Sequence, residues 1–149
     1  MESVRKYFRD NNLDFKIIEF DESTATVELA ARALGVEPAL IAKTMAFRLK
    51  EKDILILSKG DARVDNRKFK DTFGQKAKMM KPEEVLKITG HPVGGVCPFG
   101  LKTDMEIYLD MSLKEFDIVY PAAGSRNSAV EITPGQLAEI TGDCWVDVC

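Results

Sequence analysis

The sequence predicts one α+β domain over residues 1–149, built around a mostly antiparallel β-sheet. Three observations carry this. The length suits a single domain with a core of its own. Hydrophobic residues at 45% against 30% charged match an ordinary globular chain, which excludes disorder, collagen-like repeats or coiled coil as a description of the whole. Helical and strand patterns are interspersed without strict alternation, and no repeat or Pro/Gly-rich linker divides them.

In chain order, Ser3–Asp10 reads as a short helix ending at Asn11-Asn12. Phe15–Phe20 alternates as a strand, with Phe15, Ile17 and Glu19 on one face and Ile18 and Phe20 on the other. Ser23 and Thr24 are positioned to cap a helix over Val27–Leu34, where Val27, Ala30, Ala31 and Leu34 keep helical spacing before Gly35. Ile41–Leu49 and Ile54–Ser58 are strands joined by the polar turn Lys50-Glu51-Lys52-Asp53. A polar helix runs from about Asp65 to Phe73 and stops at Gly74. Pro82 opens another, with Glu83 and Glu84 facing the positive end of the helix dipole and Gly90 ending it. A Gly/Pro-rich loop spans His91–Gly100, and Glu106–Asp110, Ile118–Tyr120 and Ala129–Ile132 are short strands. Thr133-Pro134 starts a last helix that stops at Gly142, and Cys144–Val148 adds an edge strand.

The net charge is −3, so any nucleic-acid role has to be confined to one face. Three sparse cysteines, Cys97, Cys144 and Cys149, make no disulfide framework and fit a reducing compartment. The charged N-terminal residues hold no signal-peptide core, and the apolar run Ile54–Leu57 is strand-sized. A cytoplasmic protein without a membrane partner is therefore expected. One histidine and three scattered cysteines offer no paired ligand spacing, so no metal or other cofactor is expected.

Lys43 is the most informative residue. In a strand over Ile41–Leu49 it shares its face with Ile41, Met45, Phe47 and Leu49, while Ala42, Thr44, Ala46 and Arg48 take the other. An ammonium on the bulkier apolar face needs a partner: a carboxylate, backbone carbonyls or an anionic ligand. Either its stem snorkels to the sheet edge, or it forms the floor of a pocket that receives negative charge.

Four glycines and two prolines between Gly90 and Gly100 make a stiff loop whose backbone can approach a ligand closely. The amides of Gly94, Gly95, Val96 and Cys97 are available for an oxyanion nest, whereas Pro98 supplies none; a structural turn is the plainer reading. No Gly-Lys-Ser/Thr follows, so this is no P-loop. His91 and Cys97 also invite a Cys–His nucleophile reading. The turn Ala122–Asn127 reads as a hairpin connection or as a polar group aimed into a neighbouring pocket. Between Arg63 and Lys81, seven basic residues face only Asp65 and Asp71, a local balance of +5. Such a segment is either a solvated face or a docking surface for a polyanion.

The runs Val27–Ala31, Leu34-Gly35-Val36 and Ile41-Ala42-Lys43-Thr44 resemble the YbaK/EbsC family of aminoacyl-tRNA editing domains, which is related to the insertion domain of prolyl-tRNA synthetases. The likeness continues through Gly60-Asp61, Thr89-Gly90, Gly94–Gly100, Ala123-Gly124-Ser125 and Ile132-Thr133-Pro134. It implies a mixed, barrel-like sheet flanked by helices and a trans-acting deacylase that hydrolyses the ester of a mischarged tRNA carrying a small amino acid such as Cys, Ala or Ser, with tRNA-Pro a candidate carrier. It also implies catalytic Lys43, Gly94 and Gly95, and substrate contacts at Thr44, Val96, Cys97, Pro98, Gly124 and Ser125. The basic segment supplies Arg67, Lys68 and Lys70 as tRNA contacts. The partners implied are the acceptor 3′ end and an aminoacyl-tRNA synthetase. Cys97 replaces the small or hydroxyl residue common in the family, and its side chain is expected to border the pocket. A noncatalytic tRNA- or synthetase-binding module and a Cys–His hydrolase are the competing readings.

Overall fold

The computed structural model describes residues 1–149. Helix α1 (Glu2–Asp10) packs Val4 and Phe8 inward. The following elements are β1 (Ile17–Glu19), α2 (Val27–Leu34), β2 (Ile41–Arg48), β3 (Asp53–Lys59), α3 (Asn66–Phe73) and α4 (Pro82–Thr89). Then come β4 (Glu106–Asp110), β5 (Tyr120–Pro121), β6 (Ser128–Val130), α5 (Pro134–Thr141) and β7 (Trp145–Val146). Short 3-10 turns over Pro38–Leu40 and Met111–Glu115, unseen in the hydropathy pattern, lead into β2 and out of β4. No helix is long and apolar enough to cross a membrane.

The architecture is mixed α+β, as the pattern predicts. A five-stranded sheet runs β5-β2-β3-β4-β7, and a two-stranded ladder joins β1 to β6. The longest ladder, β2 with β3, is antiparallel, as is β1 with β6; the shorter pairings of β2 with β5, β3 with β4 and β4 with β7 are parallel. An antiparallel bridge between Val119 and Ile132 ties the two sheets together.

Strand β3 is central, and its Ile54, Leu55, Ile56 and Leu57 are all fully buried. A continuous apolar run is what a strand covered on both faces requires. On one face the core holds Phe8, Phe99, Leu109, Val130 and Leu137. On the other, Phe47 packs against Phe69 of α3 with ring centroids 5.1 Å apart, beside Ile54, Ile56 and Val148.

Two local expectations are corrected. Ser23 and Thr24 do not cap α2; Thr26 does, accepting from the Leu29 amide at 3.1 Å. Thr24 is buried instead, because the chain turns there to pair with the 126–128 segment, with its amide 2.6 Å from the Arg126 carbonyl. The Ala122–Asn127 turn is not a tight hairpin. The chain on either side of it meets at the antiparallel Val119–Ile132 bridge, but nearer the turn β5 adds to β2 whereas β6 adds to β1, so this segment crosses between sheets.

Candidate active site

Between the start of β2, the approach to α2 and the inter-sheet crossover lies a cleft of about 160 Å³. That is the room of about five water molecules at roughly 30 Å³ each. Its walls carry small side chains, Ala25, Ala30, Ala42, Ala122 and Ala129, with Val27, Ile41 and Val96. Thr24, Thr26, Thr44, Tyr120 and Ser128 supply the hydroxyls. Lys43 is the one charged residue that lines it.

Lys43 is half-buried, and its ammonium donates to the backbone carbonyl of Ala62 without any ion pair. Of the partners that burial demands, the lysine has a neutral carbonyl, that of Ala62 just outside the cleft lining, and no carboxylate pairs with its charge. The N-terminus of α2 adds to this: Thr26 and Val27 line the cleft, and the positive end of the helix dipole faces it. Two positive elements around apolar walls favour a ligand that is anionic or becomes so.

Gly94 and Val96 bring the Gly-rich loop to the opposite wall. Gly94 has φ +91°, and a Cβ there would sit 2.9 Å from Ala25, so only glycine lets the loop lie against the approach to α2. The Gly94 and Val96 amides have no acceptor within the protein. The expected four-amide nest is narrower than the sequence suggests. The Gly95 amide donates to Pro92 at 2.8 Å, while its carbonyl accepts from Gly124 at 3.0 Å. Gly95 thus fastens loop to crossover and has no free donor to offer. Pro98 is buried, and Gly124 and Ser125 stand behind the cleft rather than in its lining. Ser125 Oγ lies 2.7 Å from the Ser128 hydroxyl, which does line it. Thr44 lines the cleft as expected, yet its Oγ1 is shielded from water and has no hydrogen-bond partner.

Cys97 does not border the cleft. It is fully buried among Ala42, Leu57 and Phe99, and burial pushes its thiol up to about 12. Its Sγ lies 3.6 Å from His91 Nε2, but that nitrogen is also 2.8 Å from the Phe99 carbonyl, and burial pushes the imidazole down. A thiol held neutral beside a neutral ring, away from any opening, is no nucleophile, and the Cys–His hydrolase reading falls. Cys97→Ser is expected to leave hydrolysis within about threefold of wild type while costing about 1–2 kcal/mol in stability. Parallel rate and melting measurements check this, and near-total loss of rate in a folded variant would restore the thiolate.

His91 also predicts an acid limit. Its native pKa lies below the ordinary value near 6.5, so the unfolded chain binds the proton first. Stability is therefore full above about pH 6.5 and falls as the pH drops from there toward the depressed native pKa. His91→Gln should flatten the melting temperature between about pH 7 and about pH 5 relative to wild type; parallel slopes would contradict this.

Arg67, Lys68 and Lys70 are exposed on α3. Lys68 is engaged with Asp147 at 3.2 Å and the Cys149 carbonyl at 2.7 Å, whereas Arg67 and Lys70 make no ion pair. The sequence reading missed Thr24, Tyr120 and Ser128. Ser128, a lone polar residue in the buried run Ser-Ala-Val, is the one signal that could have been followed.

Residues 21–140 match the aminoacyl-tRNA editing domain family. The chain is 52% identical to YwhH of Bacillus subtilis, covering 100% of this chain and 96% of that one. It is 27% identical to EbsC of Enterococcus faecalis, named as a candidate Cys-tRNA(Pro)/Cys-tRNA(Cys) deacylase, over 93% of this chain and 92% of that one. A crystal structure described as a candidate trans-editing enzyme for prolyl tRNA synthetase superposes with a TM-score of 0.91 at 31% identity, covering 99% of this chain and 94% of that one. With most of its length matched, the chain belongs to the aminoacyl-tRNA editing domain family.

Proposed function

We propose that this protein is a trans-acting deacylase that hydrolyses the ester of a mischarged tRNA bearing a small amino acid, with tRNA-Pro the foremost carrier. The observation that carries the reading is the alanine-walled cleft in which an unpaired Lys43 accompanies the open amides of Gly94 and Val96. Its alanine walls and volume of about 160 Å³ suit a small side chain at the 3′ ester. The names of EbsC and of the candidate trans-editing enzyme support tRNA-Pro and a synthetase as partners.

Water adds to the ester carbonyl carbon, giving a tetrahedral oxyanion. That charge is met by the Lys43 ammonium, the positive end of α2 and the loop amides. The bond from carbon to the ribose oxygen then breaks, the ribose oxygen takes a proton, and the free amino acid leaves. No carboxylate, imidazole or thiol lines the cleft, and the Tyr120 hydroxyl donates to Glu131 at 3.1 Å with its pKa pushed up by burial. The proton from water therefore passes to solvent or to the substrate, whose ribose hydroxyl is the adjacent polar group.

Incubation with Ala, Cys and Ser esters on several tRNAs tests the reading. Accelerated release of at least one of them, greatest on tRNA-Pro, is expected. Binding of these tRNAs without any release would favour the noncatalytic module instead.

A further inference from the structure

At the far end of β2 a second concavity is lined by Arg48, Lys50, Lys70, Gln75, Lys76 and Lys78, with no acidic residue in its lining. Arg48 is neutralised by Asp53 and Glu84. The four lysines make no ion pair. Elsewhere lysines stand singly, either paired, as Lys6 is with Asp10, Lys52 with Glu106, Lys59 with Glu115 and Lys68 with Asp147, or without an ion pair, as Lys16, Lys87 and Lys102 are. Only here do four unpaired ones line one concavity. In a chain with more acids than bases, a groove left without a carboxylate stands out.

The groove is also fixed by hydrogen bonds from backbone amides. The Lys50 amide donates to Gln75 Oε1 at 2.9 Å, Arg48 N donates to the Lys78 carbonyl at 2.8 Å, and Met80 N donates to Ala46 at 3.0 Å. These pin the 75–80 segment along β2, opposite the last turn of α3 that carries Lys70. Gathering four ammonium groups costs mutual repulsion, which a polyanion relieves. Ile41 at the cleft and Arg48 at the groove stand on the order of 23 Å apart, at ~3.3 Å of strand per residue. A ligand that reaches from one to the other has polymer dimensions.

We propose that this groove docks the phosphate backbone of RNA, holding the substrate tRNA at a distance from its aminoacyl end. The proposal rests on the deacylase reading for its choice of RNA, and it replaces Arg67 and Lys68 as the centre of docking with Lys50, Lys70, Lys76 and Lys78.

The test measures binding of uncharged tRNA to the full chain by anisotropy, from about 0.05 to about 0.3 M salt, for wild type and for the doubles Lys50→Ala/Lys70→Ala and Lys76→Ala/Lys78→Ala. All four side chains are free of ion pairs, so the fold is expected to be unaffected. Each double should weaken binding about tenfold or more at low salt and flatten the log–log salt slope by about 2, at ~0.9 per phosphate contact. Hydrolysis of a short 3′-aminoacyl adenosine should not change. Affinity and slope within about twofold of wild type would overturn the proposal, as would absence of tRNA binding by wild type; a groove that serves an acidic protein gives the former result. If the doubles lose binding while no form hydrolyses any ester, the groove stands and the deacylase reading falls. If wild type hydrolyses and the doubles bind as it does, only the groove falls.

Discussion

Lys43→Ala is expected to lower deacylation of a mischarged tRNA by about 10²–10³, the usual effect of deleting one preorganised stabiliser of an oxyanion. The reasoning is electrostatic. Lys43 is the one charged residue of the cleft lining, it has no carboxylate partner, and its one acceptor is the neutral Ala62 carbonyl. Removing it strips the site of its full positive charge and leaves only the helix dipole and the loop amides. Because no opposite charge is orphaned by the change, stability should move by no more than about 1 kcal/mol. A rate within threefold of wild type in the folded variant would remove Lys43 from the mechanism.

Gly95→Ala should lower stability, because loop and crossover touch at this position. A Cβ at this position would meet three backbone atoms of Ser125 at 2.7–2.8 Å, closer than real Cβ atoms come. Backbone cannot swing aside as a flexible side chain does, so loop and crossover must part. Overpacking of this kind costs about 1–3 kcal/mol, or roughly 4–12 °C in melting temperature for a domain of this size. Hydrolysis should fall as well, because the Gly124–Gly95 hydrogen bond holds two walls of the cleft together. Ser125→Gly added to Gly95→Ala should not restore stability, since the obstruction is main chain. Full rescue by that second change would show the contact to be with the serine side chain instead.

Elements that announce themselves locally were legible in the sequence. β4 falls at Glu106–Asp110 as its pattern predicts, and α5 begins after the Thr133 cap, which accepts from Gln136 at 3.0 Å. The stops at Gly35, Gly74, Gly90 and Gly142 all hold. What depended on distant partners was not legible. The crossover between sheets looked like a tight hairpin because its two strands are close in sequence and do meet at the Val119–Ile132 bridge, while their ladder partners, β2 and β1, are remote. Lys43 was visible as a misplaced charge, but its Ala62 acceptor is main chain, which no side-chain pattern records. The cleft draws single alanines and hydroxyls from separate segments, so no periodicity marks it. Cys97 and His91 looked reactive because a loop sequence does not say which way its side chains turn. Here they face the core.

The most direct test is the amide spectrum of the isotopically labelled protein with a non-hydrolysable 3′-alanylamido-adenosine. The account predicts shifts centred on Lys43, Thr44, Gly94 and Val96, weakened in Lys43→Ala. Shifts confined to the basic groove around Lys50 and Gln75, or none at saturating ligand, would contradict it.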